Sequence, residues 1–222
     1  MTFRAVIFDL GGVVFPSPFD VFAAYERDHG LPDRFIRGVV AASADHGAWA
    51  RLERSELTIE EFGVEFSAEC AAAGGTVDAV ELMREIGRGF EPRPAMVAAI
   101  ATIRDHELKV AALTNNWASS PSENQSASGT ARGSAPQAFG HLGSFDVVVE
   151  SAVEGLRKPD PRIYALVCER LDISPSEAVF LDDLGVNLKP ARAIGMTTIK
   201  VNDPDAALAE LENVLGFSLD GR

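Results

Sequence analysis

Short, nearly unbroken apolar runs recur along the chain, each stopped by polar residues or glycine. They fall at residues 3–9 (FRAVIFD), 109–114 (KVAALT), 145–151 (FDVVVES), 178–183 (AVFLDD) and 197–201 (TTIKV). Runs of this length and composition predict strands buried on both faces, as in a parallel sheet. Helical spacing fills the gaps between the later runs, over 94–105, 161–171, 188–194 and 204–214. Pro94 suits a first helical turn, Asp160 and Asp203 are good N-caps, and Gly195 and Gly216 are stop signals. Ser174 and Glu177 have the spacing of a capping box before the fourth run, with room for only a turn. Alternating strands and helices predict an α/β fold, a doubly wound parallel sheet of Rossmann type.

Residues 18–91 break this rhythm. They hold no convincing strand, and 19–29, 33–55, 59–73 and 77–89 read as helices, with Thr58 and Glu61 spaced as a second capping box. The expected organisation is an α/β catalytic core of residues 1–17 and 92–222, with a helical cap, 18–91, inserted after the first strand. Such a cap lies over the C-terminal edge of the sheet, where open α/β folds bind ligands. Within the core, residues 118–138 are dominated by Ser, Ala, Gly and Pro, the composition of a flexible loop.

The composition narrows the function classes. Apolar residues make up 46% of the 222 and charged residues 24%, an ordinary soluble mixture. A net charge of −13 disfavours nucleic acid and anionic membrane surfaces, which need a basic footprint. It also repels phosphate esters at long range, so a phosphate site must create its own positive field. The two cysteines, Cys70 and Cys168, lack metal-site spacing and read as reduced, buried thiols. The four histidines show no ligand spacing either. Asp9 interrupts the first apolar run, and no stretch approaches the roughly 20 residues of a membrane helix. A cytoplasmic monomer or homodimer acting on a small molecule is expected.

Four polar clusters stand at or just past the ends of the expected strands. These are Asp9-Leu10-Gly11-Gly12, Thr114-Asn115-Asn116, Lys158-Pro159 and Asp182-Asp183. Parallel strand ends converge on one crevice, so residues far apart in sequence share a site. An aspartate where a strand breaks into Gly-Gly suits a nucleophile or metal ligand, and the glycines admit close approach to phosphate. A threonine hydroxyl holds phosphoryl oxygens, a lysine adds positive charge, and paired aspartates suit a hard cation such as magnesium. Trp49, Arg51, Phe15 and Phe19 are candidates to line the crevice, though packing alone accounts equally well for Trp49 and Phe19.

The motifs FDLGGVV, ALTNN, GLRKPDPRIY and VFLDD, in that order, resemble those of haloacid dehalogenase-superfamily phosphatases. The similarity extends over nearly the whole chain to the N-terminal phosphatase domain of soluble epoxide hydrolases and to the related domain of acyl-CoA dehydrogenase-like proteins. It is weakest in the helical insert and the Ser-rich loop. The resemblance implies that Asp9 attacks phosphorus and becomes an aspartyl-phosphate, with Mg2+ held by Asp9, the Gly11 carbonyl and Asp183. It further implies that Asp182 orients Lys158 or touches the metal through water, and that Thr114, Asn115 and Lys158 bind phosphate. One departure stands out. The family's second aspartate, the general acid two residues after the nucleophile, is replaced by Gly11. Good leaving groups are therefore expected to react best. The alternatives are a 2-haloacid dehalogenase, which needs no metal, and a catalytically weak phosphate-ligand-binding module.

Overall fold

The structure is a computed structural model that describes residues 2–88, 91–117 and 144–219; the loop expected at 118–138 lies outside them. Five strands form one sheet: β1 (Ala5–Phe8), β2 (Lys109–Thr114), β3 (Val147–Glu150), β4 (Ala178–Asp182) and β5 (Thr197–Lys200). Their order is β3-β2-β1-β4-β5 and every pairing is parallel. β1 and β4 are buried throughout, as their unbroken apolar runs require, whereas the edge strands β3 and β5 are partly open.

Alternation along each strand divides the core into two layers. Val6, Phe8, Val110, Ala112, Val179 and Leu181 face one side. There they meet α6 (Pro94–Asp105) through Met96, Ile100 and Ile103, and α10 (Pro204–Leu215) through Ala207 and Leu211. Ala5, Ile7, Ala111, Leu113 and Phe180 face the other, against α8 (Pro161–Leu171) and α9 (Gly185–Ala193). This is the doubly wound architecture read from the sequence.

Between β1 and α6 the chain forms five helices: α1 (Pro18–Asp28), α2 (Phe35–Ser43), α3 (Ala48–Glu53), α4 (Ile59–Ala72) and α5 (Ala79–Arg88). They pack on a core of their own that includes Phe22, Trp49, Phe62, Phe66 and Leu82. Thr58 and Glu61 form a reciprocal capping box at the start of α4. The helix expected over 33–55 is two helices. Ala44 turns the chain at φ 45°, and Glu69 of α4 accepts hydrogen bonds from the Ser43 hydroxyl (3.0 Å) and the Ala48 N–H (2.8 Å). A contact distant in sequence thus satisfies the start of α3 and makes the break favourable. Where the insert begins and ends, the Arg93 N–H donates to the Val14 carbonyl at 2.7 Å, tying the two connections together.

Two smaller differences concern the site. The third strand stops at Glu150, and Ser151–Glu154 form a short helix, α7. α9 begins at Gly185, three residues earlier than expected, because the Asp182 carboxylate accepts from the Leu184 N–H at 2.8 Å and turns the chain. No helix among the described residues is long and apolar enough to cross a membrane.

Candidate functional site

The centre of the sheet sets the position of the site. β1 lies between β2 and β4, so their C-terminal ends bring Asp9, Thr114 and Asp182 side by side at the point where the strand order reverses. Asp9 immediately follows β1, its N–H bonded to the Leu181 carbonyl (2.9 Å) and its Oδ1 accepting from the Leu10 N–H (2.7 Å).

Lys158 is the hub. Its side chain is 1% exposed, and Nζ lies 2.8 Å from Asp9 Oδ2 and 2.7 Å from Asp182 Oδ2. Asp182 is fully buried, and its two oxygens also accept from Asn187 Nδ2, both at 3.1 Å. Lys158, Asn187 and the Leu184 N–H thus occupy the Asp182 carboxylate, whereas Asp183 turns to the crevice and meets the Ser17 hydroxyl at 3.5 Å. One oxygen from each of Asp9, Asp182 and Asp183 lies within 4.8 Å of the others, a spacing suited to a hard cation.

Electrostatics agree with the geometry. Burial pushes the Asp9 carboxyl well above its usual range, and Asp182 and Asp183 add to the rise while Lys158 opposes it. Burial and the Asp182 charge push Asp183 up to about 6. Burial disfavours the charge on Lys158, but Asp182 and Asp9 outweigh it and leave its pKa raised. Three crowded carboxylates with one lysine leave an excess of negative charge that a divalent cation would relieve.

The two glycines behave differently. Gly12 has φ +82°, and a Cβ there would sit 2.4 Å from Asp183 Oδ2. Gly11 has no such backbone constraint, and a Cβ there would meet only Pro18 Cδ, at an ordinary 3.5 Å. Thr114 is buried at the end of β2, its hydroxyl 3.4 Å from the Asn115 carbonyl. The Asn115 side chain clamps the Lys158 peptide, accepting from its N–H (2.8 Å) and donating to its carbonyl (3.0 Å). All seven site residues expected from the sequence therefore gather at one sheet edge.

Sequence reasoning missed three contributors. Asn187 follows Asp182 on the first turn of α9, where an extra polar residue carried no distinguishing signal. Glu53, at the end of α3, accepts from Arg157 Nε (2.7 Å), Asn115 Nδ2 (3.3 Å) and Trp49 Nε1 (3.0 Å), so an insert carboxylate reaches a core residue beside Lys158. Arg157 adjoins Lys158 in sequence, a proximity that was the available signal. Phe19 and Trp49 line the crevice, whereas Phe15 packs in the core and Arg51 pairs with Glu65 and Glu56. The crevice has a volume of about 1130 Å³ and is walled by both insert and core.

The chain is similar to acyl-CoA dehydrogenase family member 10 of Mus musculus, at 41% identity over 98% of this chain and 20% of that protein. It is 34% identical to bifunctional epoxide hydrolase 2 of Sus scrofa over 99% of this chain and 40% of that protein. It thus spans well under half the length of both. A phosphatase of Mycobacterium tuberculosis is 31% identical, with 100% of this chain and 99% of that one covered. Among solved structures, a predicted HAD-like hydrolase from Porphyromonas gingivalis superposes with TM-score 0.67 at 21% identity, covering 97% of this chain and 98% of that one. A HAD family enzyme of Bacteroides thetaiotaomicron in complex with magnesium and inorganic phosphate has TM-score 0.58 at 18% identity, covering 89% and 93%. The haloacid dehalogenase-like hydrolase model matches residues 3–195, and with these relatives it establishes that the chain belongs to that family of hydrolases.

Proposed function

We propose that this hydrolase is a magnesium-dependent phosphatase that acts on a small phosphorylated metabolite through an aspartyl-phosphate on Asp9. The observation that carries this reading is Lys158 Nζ held within 2.8 Å of Asp9 and 2.7 Å of Asp182, with Asp183 beside them. Relatives named as phosphatases point the same way.

The donor set fits magnesium, because it consists of hard carboxylate oxygens and the Gly12 position leaves Asp183 room to turn inward. Asp9, the Gly11 carbonyl and Asp183 are the proposed ligands, with Asp182 behind them. The bound ion would neutralise phosphoryl charge. Lys158 and the Leu10 N–H each hold one oxygen of Asp9 and fix the plane of the nucleophile. An Asp9 oxygen forms a bond to phosphorus as the phosphorus–oxygen bond to the leaving group breaks. Thr114, the Asn115 backbone and Lys158 hold the phosphoryl oxygens. Water then cleaves the acyl phosphate, releasing phosphate and regenerating the Asp9 carboxylate. The helical insert is the proposed cap, and Glu53 joins it to the core.

No carboxylic acid stands at Gly11 to protonate the leaving oxygen. General acid help is worth about 10²–10⁴-fold, so aryl and acyl phosphates are the favoured substrates over simple alkyl phosphates. Asp9→Asn should abolish magnesium-dependent phosphate release from p-nitrophenyl phosphate; undiminished release refutes the mechanism. The dehalogenase reading predicts halide release from 2-haloacids without magnesium, and the Asp182–Asp183 pair argues against it.

A further inference from the structure

Six residues of the crevice wall stand out for charge or for contact with a charge. Five of them are cations: Arg37, Arg54, Arg157, Lys158 and Arg162. Four are already neutralised. Lys158 pairs with Asp9 and Asp182, Arg157 with Glu53 (2.7 Å), Arg54 with Glu56 (2.6 Å) and Asp45 (3.0 Å), and Arg162 with Asp160 (2.6 Å). Arg37, on α2 of the insert, has no carboxylate partner among the described residues. Its guanidinium lies over the ring of the sixth residue, Phe19, at 4.4 Å from the centroid. A flat guanidinium stacked on an aromatic face keeps its N–H edge free for an oxyanion.

Arg37 and Asp9 line the same crevice, which is large and mixes apolar with charged walls. At about 1130 Å³ the crevice far exceeds an inorganic phosphate, and its insert wall is aromatic, with Phe22 and Trp49 in edge-to-face contact at 5.2 Å. Pockets of this size ordinarily enclose a whole small molecule, whose polar ends are fixed by a few placed groups. Arg37 is exposed, and it is the cation of this wall without a carboxylate partner among the described residues.

We propose that Arg37 binds a second anionic group, so that the substrate is a phosphomonoester whose apolar body ends in a carboxylate or a further phosphate. The inference rests on the phosphatase reading and adds the chemistry of the substrate's far end. The phosphate to be cleaved sits at Asp9, the apolar body lies along Phe19 and Trp49, and the terminal oxyanion meets Arg37.

The test uses the full chain with magnesium and a series of 4-alkylphenyl phosphates of graded chain length, whose aryl leaving group needs no general acid. Each length is offered bare, with an ω-carboxylate and with an ω-phosphate. At the matching length kcat/KM should favour an ω-anionic form about tenfold or more over the bare one, the worth of one charge-assisted contact. The preference should reside in KM, and it runs against the repulsion exerted by the whole protein. Arg37→Gln should bring the ratio close to one, and Arg37→Lys should keep part of it. The carboxylate and phosphate arms distinguish the two sources of the anion. No preference at any length, or a preference unchanged in Arg37→Gln, overturns the inference while leaving the phosphatase intact. Failure to hydrolyse p-nitrophenyl phosphate, which has no second anion, overturns the phosphatase reading and this inference with it.

Discussion

Gly11 and Gly12 adjoin in sequence, yet they answer to different constraints. Gly12 is demanded by its left-handed backbone and by Asp183, whose Oδ2 would lie 2.4 Å from an added Cβ. Gly12→Ala should therefore displace Asp183 and raise the magnesium needed for half-maximal activity by about 10–100-fold, read by metal titration. Gly11 leaves room for a side chain, so a carboxylate can be placed there without displacing its neighbours. Gly11→Asp should speed hydrolysis of alkyl phosphates by about 10²-fold or more, flattening the dependence of rate on leaving-group pKa. A dependence equally steep in variant and parent would refute the assignment. Asp9, Thr114, Lys158 and Asp182 were legible because each closes an apolar run or sits in a distinctive motif. Asn187 was not, since its role depends on a single turn of α9 bringing its amide to the buried Asp182 carboxylate.

At the scale of elements, α3 has the most to say about how insert and core cooperate. Its last residue, Glu53, is 7% exposed and accepts from Arg157 and Asn115 of the core, and Asn115 in turn holds the Lys158 peptide. Ser55 just beyond it donates to the Ala152 carbonyl at 2.8 Å. Glu53→Ala should cost about 1–3 kcal/mol in denaturant unfolding, because it strips partners from polar groups that are largely buried. It should also lower kcat/KM by about tenfold through loosened positioning of Lys158. Unaltered kinetics with lowered stability would reduce Glu53 to a packing role. This connection was hidden in the sequence because 33–55 reads as one helix. The break at Ala44 depends on Glu69 of a later helix, a contact that local periodicity does not encode. The strands were legible for the opposite reason: burial on both faces leaves a continuous apolar signature that needs no tertiary information.

The whole molecule carries its charge against its proposed task. A net charge of −13 repels a phosphate dianion during approach, and a bound divalent cation together with Lys158 would be needed to reverse this at contact. Screening should therefore help. kcat/KM for an anionic substrate should rise as salt is raised from low ionic strength to about 0.1 M, where the Debye length is about 10 Å. A fall over that range would mean that attraction near the crevice governs encounter.

The single hydrogen bond from the Arg93 N–H to the Val14 carbonyl has a further consequence. The insert leaves and re-enters the core at neighbouring points, so the core meets only a short, pinned gap whatever the inserted chain contains. Closure entropy grows slowly with the length of an insertion. Helices can thus be lengthened, exchanged or grafted there at little cost to the sheet. The insert's share of the crevice wall is free to diverge while the strand ends that carry the proposed chemistry stay in place.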